Sequence, residues 1–222
     1  MMQTRVVHCG VNLAPYVEEL LGIPRSKLNW LHNYSYGWPM PVLTREQDSY
    51  QDWHQKFYVG WMGSALQERW INSLPNIASL VFPGLAIDEI AIQKIPCLRV
   101  HLPENVAVGI KHKDADFGHA EPEVNVWMPF TDAYGTNSVY IQDDDGRFNA
   151  IYAHPGDIAI FDAVNREHCN EVNKTGFTRV SMDFRLAPLD GMYNREAKES
   201  INTRSKIGLG DYFVTYAELL NA

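Results

Sequence analysis

Cysteine is scarce in this chain. Its three residues, Cys9, Cys97 and Cys169, form no Cys-x-x-Cys pair, which argues against a disulfide framework and a zinc knuckle and leaves free thiols. Positive charge is thin as well: 19 Lys and Arg stand against 27 Asp and Glu, a net charge of -8. No Lys/Arg-rich run offers counter-charge to a nucleic-acid backbone or an anionic membrane, so neither is expected as a partner. Long apolar runs are also missing. The longest uncharged stretch, residues 70–87, carries Pro75, Pro83, Asn72, Asn76 and two serines, a mixture that a lipid-facing helix does not tolerate. The N-terminal MMQTRVVHCGVN lacks a basic stretch followed by an apolar core, so no signal peptide and a cytoplasmic protein are expected. There is no internal repeat and no low-complexity tract. What remains is 222 residues, 45% of them hydrophobic, enough for one domain around one sizeable core.

The chain has two textures. Residues 1–88 read as helical and aromatic-rich. Ala14 or Asn12 opens a short helix with Pro15 in its first turn and Gly22 after its last apolar pair. Thr44 to Gln47 has the form of a capping box, and behind it Tyr50, Trp53, Phe57, Trp61 and Ala65 recur at helical steps as one apolar stripe. The loop from Asn29 to Pro41, with Tyr34, Tyr36 and Trp38, either fills core or lies over a pocket as a lid. From Ile90 short β-type runs follow one another: IAIQKI, CLRVHL, VAVGI, EVNVWMPF, NSVYIQ, FNAIYA, DIAIFD and TRVSMDFRL. About eight strands without intervening helices predict a mainly β (α+β) jelly roll or related double-sheet barrel over residues 89–189. Residues 190–222 read as a C-terminal extension that packs back.

Chemistry gathers in the β half. His112 and Asp114, one residue apart in an extended segment, point the same way and can meet one metal ion. One His-x-Asp is expected by chance in about half of such chains, so the pair alone decides nothing. His168, on a later strand, supplies the third ligand of a two-histidine, one-carboxylate facial triad. His119 and Glu121 form a rival pair, placed second because they sit in a polar connection. In the last strand Val180, Met182, Phe184 and Leu186 form an apolar face, and Arg179, Ser181, Asp183 and Arg185 the other. If the His168 strand and this one pair as a hairpin, Arg179 is carried toward the metal. An Arg with a Ser two residues on makes a carboxylate clamp, and a dicarboxylate chelating the metal by its other end satisfies it. Asp183 is expected to pair Arg185 or Arg179, with Arg185 as the fallback anchor, and Cys169 to face away from the ligands of His168.

His112-x-Asp114, then His168, then Arg179-x-Ser181 eleven residues on, resembles the signature of Fe(II)/2-oxoglutarate-dependent dioxygenases, most similar to phytanoyl-CoA-hydroxylase-like members and natural-product hydroxylases. The resemblance spans roughly Ile90 to Leu186. It implies a double-stranded β-helix with the N-terminal helical part packed on it, and Fe(II) held by His112, Asp114 and His168. It further implies 2-oxoglutarate anchored by Arg179 and Ser181, with Trp127 and Asn125 beside it. The reaction it implies is oxidation, most simply hydroxylation, of a C–H bond of a small molecule by O2, with release of succinate and CO2. The acidic residue at 114 speaks against the halogenating relatives, which vacate that position. Two other classes remain open: a cupin-like metal-dependent sugar epimerase or isomerase, which has no need of the Arg-x-Ser clamp, and a non-catalytic carbohydrate-binding jelly roll, which leaves the triad without purpose. The acidic charge and aromatic residues lean toward a cationic or sugar-like substrate.

Overall fold

Short runs of Val, Ile and Phe broken by turn residues give a mainly β fold in the computed structural model, which describes residues 2–49, 51–107, 109–193, 198–199 and 206–221. The strands are β1 (Arg5–His8), β2 (Ile90–Gln93), β3 (Cys97–His101), β4 (Val124–Pro129), β5 (Val139–Gln142), β6 (Phe148–Ala150), β7 (Asp157–Phe161), β8 (His168–Asn170), β9 (Arg179–Pro188), β10 (Lys198–Glu199), β11 (Lys206–Ile207) and β12 (Phe213–Val214). An antiparallel seven-stranded sheet runs β1-β7-β4-β9-β2-β12, with β3 also on β9. One long strand thus has β4 along one side, and β3 followed by β2 along the other. A three-stranded sheet, β6-β5-β8, and the pair β10-β11 complete the set.

The helices are α1 (Ala14–Leu21), α2 (Arg45–Ser49), α3 (Asp52–Gly60), α4 (Ala65–Val81), α5 (Asp190–Tyr193) and α6 (Tyr216–Leu220). Pro15 sits in the first turn of α1, and Gly22 closes it in the left-handed region, where only glycine avoids a Cβ clash. The capping box before α2 forms as expected: Gln47 N–H donates to Thr44 Oγ1 and Thr44 N–H to Gln47 Oε1. Among the described residues no helix is long and apolar enough to cross a membrane.

Alternation along β9 decides how the layers stack. Val180, Met182, Phe184 and Leu186 are fully buried in the main core, which also takes Val17, Phe57, Trp61 and Trp70 from α1, the α3 region and α4. Aromatic edges link the two sides, with Trp61 on Trp70 and Trp70 on Phe184, each pair at 5.4 Å. The opposite face of the sheet meets the three-stranded sheet through Trp127, Ala159 and Phe161 packed with Val139 and Ile141. Arg179, Ser181, Asp183 and Arg185 lie on that face and are buried too.

Three expectations need correction. Residues 1–88 are not all helical, because β1 pairs in full with β7; four residues of mixed exposure are too short to stand out beside helices. The run VAVGI is not a strand: residues 106, 107, 109 and 110 are irregular or turn, and Val108 lies outside the described residues. The aromatic stripe ends with α3, since the chain turns at Gly63 and starts a new helix at Ser64, whose hydroxyl accepts from Gln67 N–H. Ala65 is therefore exposed, and Tyr50 lies outside the described residues.

Of the aromatic loop, Leu31, His32 and Met40 are buried, but Trp38 is 65% and Tyr36 38% exposed. Phe57→Ala should therefore cost about 3–5 kcal/mol through the cavity it leaves, whereas Trp38→Ala should cost no more than about 0.5 kcal/mol. Thermal unfolding of the two variants checks this. A large loss at Trp38 would return the loop to the core.

Candidate active site

The first two candidate ligands meet through backbone pairing. His112 and His168 exchange both N–H to O=C bonds, at 3.2 and 3.0 Å, and such a directly opposed antiparallel pair carries its side chains to the same face. Their ring centroids stand 4.3 Å apart. Each imidazole is oriented by its own backbone: His112 Nδ1–H donates to the Ile110 carbonyl at 2.5 Å, and His168 Nδ1–H to the Arg166 carbonyl at 3.1 Å. Both Nε2 lone pairs are thus left to the centre. Asp114 is not extended, as the sequence reading had it; it opens a 3-10 turn, with its N–H on the Ala163 carbonyl at 2.8 Å. Its Oδ1 lies 3.5 Å from both His112 Nε2 and His168 Nε2, and one ligand atom from each residue fits within 4.8 Å of the others. Octahedral ions with bonds near 2.1 Å space neighbouring donors about 3.0 Å apart, so a small contraction seats one ion on all three.

Arg185 fixes which oxygen of Asp114 is free. Its Nη2 and Nε both donate to Asp114 Oδ2, at 2.5 and 3.2 Å, which leaves Oδ1 toward the histidines. The guanidinium is held in turn by Gln93 Oε1 and Tyr212 Oη, and its Nε lies 3.7 Å from Glu123 Oε2, which also takes His119 Nδ1–H at 2.6 Å. Burial alone would raise the Asp114 carboxyl; Arg185 foremost, with His112, His168 and His119, holds it well below the usual range instead. Burial lowers His168, with the Asp114 charge opposing. The sequence pattern makes Arg185 a fallback anchor and pairs Asp183 with Arg185 or Arg179. Asp183 pairs with Arg99 instead, at 2.6 Å, because these residues lie on neighbouring strands of one face. His119 meets Glu123 rather than acting with Glu121, whose Oε1 accepts from Asn165.

Arg179 is 2% exposed. Its Nε–H donates to the Asn137 carbonyl at 3.0 Å, Nη1 to Ser181 Oγ at 2.8 Å and Nη2 to Asn170 Oδ1 at 3.2 Å, while the Trp127 ring lies 5.6 Å from Cζ. Three of the five guanidinium N–H groups are used, and one remains on each terminal nitrogen, the pair that grips a carboxylate in bidentate fashion. No carboxylate lies within 4.0 Å of it among the described residues. Burial and then the like charge of Arg99 pull its pKa down to about 9, only partly offset by Asp183 and Asp48. The hairpin between β8 and β9 does not form: β8 pairs with β5, and contact with β9 is made by side chains. Asn170 was missed, although it lies two residues beyond His168 on the same strand face. Gly109 makes room for it, since a Cβ there would come within 2.4 Å of Asn170 Nδ2. Asn125 is on the same sheet face, opposite Arg185, with Oδ1 buried and without a partner.

With this geometry in view, the chain is similar in fold to EctD from S. alaskensis, whose crystal structure holds 2-oxoglutarate and 5-hydroxyectoine. The TM-score is 0.53 over 90% of this chain and 76% of that one, at 13% identity. The mainly β architecture of antiparallel sheets expected from the sequence is thus borne out. No family model matches. The streptomycin biosynthesis protein StrG of Streptomyces griseus is 38% identical over 177 residues, 78% of this chain and 81% of that protein. The chain belongs to the StrG family.

Proposed function

We propose that the chain is a non-haem Fe(II)- and 2-oxoglutarate-dependent oxygenase that oxidises, most simply hydroxylates, a C–H bond of a small molecule and releases succinate and CO2. The observation that carries this reading is the buried Arg179 guanidinium, with two N–H groups free and no carboxylate within 4.0 Å among the described residues, on the same face of β9 as Arg185, which holds Asp114. A buried cation left so is costly, and an entering dicarboxylate removes the cost. We read residues 1–222 as one domain, with residues 89–189 as a double-stranded β-helix.

Two neutral imidazoles and one carboxylate on one face fit Fe(II) and leave further positions open. Iron held by these residues would activate O2, the oxidant, with 2-oxoglutarate and the substrate each giving up two electrons. The rest falls to the chain. Arg179 would hold the far carboxylate of the cosubstrate. Ser181, whose Oγ already accepts from Arg179, keeps its hydroxyl proton to donate to the same group. Trp127 would wall the cosubstrate on one side and Asn125 would lie beside it. Arg185 keeps the Asp114 carboxylate turned, and the exposed loop through Tyr36 and Trp38 is suited to excluding water from the mouth.

Addition of Fe(II) and 2-oxoglutarate without oxygen should produce a weak visible charge-transfer band, and admission of O2 should then yield succinate. A chain that binds both components separately but shows no band refutes joint coordination at this centre.

A further inference from the structure

Among the described residues, seven buried side-chain polar atoms lack a hydrogen-bond partner. Three are tryptophan Nε1 atoms, and one is the Asn125 oxygen. The other three, Asp48 Oδ2, Gln51 Oε1 and His54 Nε2, come from one short stretch at the end of α2 and the start of α3. Gln51, His54 and Tyr58 recur at three- and four-residue steps, a face of α3 adjacent to the one that sends Trp53 and Phe57 into the core. That face is turned to the polar side of β9 and β3: the Arg99 charge acts on His54 and Tyr58, Asp183 acts on Tyr58, and Arg179 acts on Asp48. Tyr58 is 46% accessible, and burial of its phenol, with the charges of Cys97 and Asp183, pushes its pKa well up. The Arg99 side chain, held by Asp183, keeps 42% of its surface accessible.

The unmet chemistry is one-sided. Gln51 spends its amide nitrogen on Asp48 Oδ1, so what both residues leave free is oxygen. Asp48 and Gln51 are 2% and 4% exposed, and an unmet acceptor at that depth is destabilising. Burial and Arg99 lower the His54 pKa to about 4, which keeps the imidazole neutral, so that its unpartnered Nε2 adds no positive charge to the patch. Burial raises the Asp48 carboxyl to about 6, against Gln51 and Arg179, and a cation beside it would hold it ionised. Tyr36, whose phenol is pushed up by burial and by Asp48 and Asp52, adds aromatic surface beside Asp48, the usual companion of a bound organic cation.

We propose that Asp48, Gln51 and His54 form the recognition patch for the primary substrate, and that the group they take is a guanidinium or ammonium carried on a polar small molecule. The patch is a substrate site only if the oxygenase reading holds, whereas its preference for cations is measurable by itself. Calorimetric titration of the full chain, with Zn(II) and 2-oxoglutarate and without them, compares methylguanidinium with its neutral isostere methylurea. Methylguanidinium should bind at least tenfold more tightly, Asp48→Asn should abolish the difference, and Gln51→Leu should weaken it several-fold. Equal binding of the two probes by the wild-type chain, or a preference that survives Asp48→Asn, overturns the proposal. So does an Asp48→Asn variant whose 2-oxoglutarate affinity changes while its cation binding does not, since Asp48 would then serve Arg179. If either variant fails to fold, the wild-type ratio decides. A chain that prefers methylguanidinium but binds no 2-oxoglutarate refutes the oxygenase reading and leaves the cation site standing.

Discussion

Asp114→Ala should abolish turnover and tight divalent-metal binding, and it should also destabilise the metal-free protein by about 3–5 kcal/mol. The two losses have separate causes. The first is removal of the one anionic donor of the triad. The second follows from Arg185, which would be left as a buried cation without its hydrogen-bonded carboxylate, with Glu123 Oε2 still 3.7 Å from its Nε. His112→Ala separates them: it should lose activity equally while keeping the Arg185–Asp114 pair, and so lose far less stability. Arg185→Gln should keep all three donors but let the carboxylate turn, weakening metal binding by about 10–100-fold. Metal titrations beside thermal unfolding of the three variants test this pattern. Full metal-dependent activity in His112→Ala, with loss in His119→Ala instead, would place the centre on the other pair.

Arg179→Ala should raise the dissociation constant for 2-oxoglutarate about 30- to 1000-fold, the equivalent of about 2–4 kcal/mol. Arg179→Lys should recover only part, because an ammonium presents a point charge where the two free N–H groups of Arg179 present a fork. The unbound protein should tolerate the change well, since what is removed is a cation under strain from burial and from Arg99. Removal of a merely structural arginine would do the reverse, lowering stability and leaving 2-oxoglutarate affinity alone. Unchanged affinity for 2-oxoglutarate in Arg179→Ala would rule out the clamp.

How much of this was legible in the sequence depends on the range of the signal. The two faces of β9 could be read from residue alternation alone, and so could α1 with its Pro15 and Gly22. The strand at Arg5 could not, because its partner, β7, lies some 150 residues away and four residues carry too little pattern. His112, Asp114 and His168 do come together, yet not by the route expected: one antiparallel bridge and a 3-10 turn replace the strand that VAVGI suggested. Arg185 and Asp183 were both noticed, but pairing along one strand was assumed where the sheet pairs across strands, with Arg99 from β3 and Asp114 from a loop. Asp48, Gln51 and His54 left no mark, since a capping box followed by mixed polar residues reads as an ordinary exposed helix start.

The order of the large sheet bears on how the chain reaches this state. β1 and β12 lie at opposite margins of the same sheet, although they are more than 200 residues apart in the chain. Neither margin can close until distant segments have found each other, and such non-local pairing slows folding because loop-closure entropy is paid before the contacts reward it. Until β1 docks, β7 presents a bare row of backbone donors and acceptors, and until β12 docks so does β2, each a template for a strand from another molecule. A chain shortened at either strand would meet that hazard permanently. Its failure would be seen as aggregation during expression rather than as loss of the metal centre.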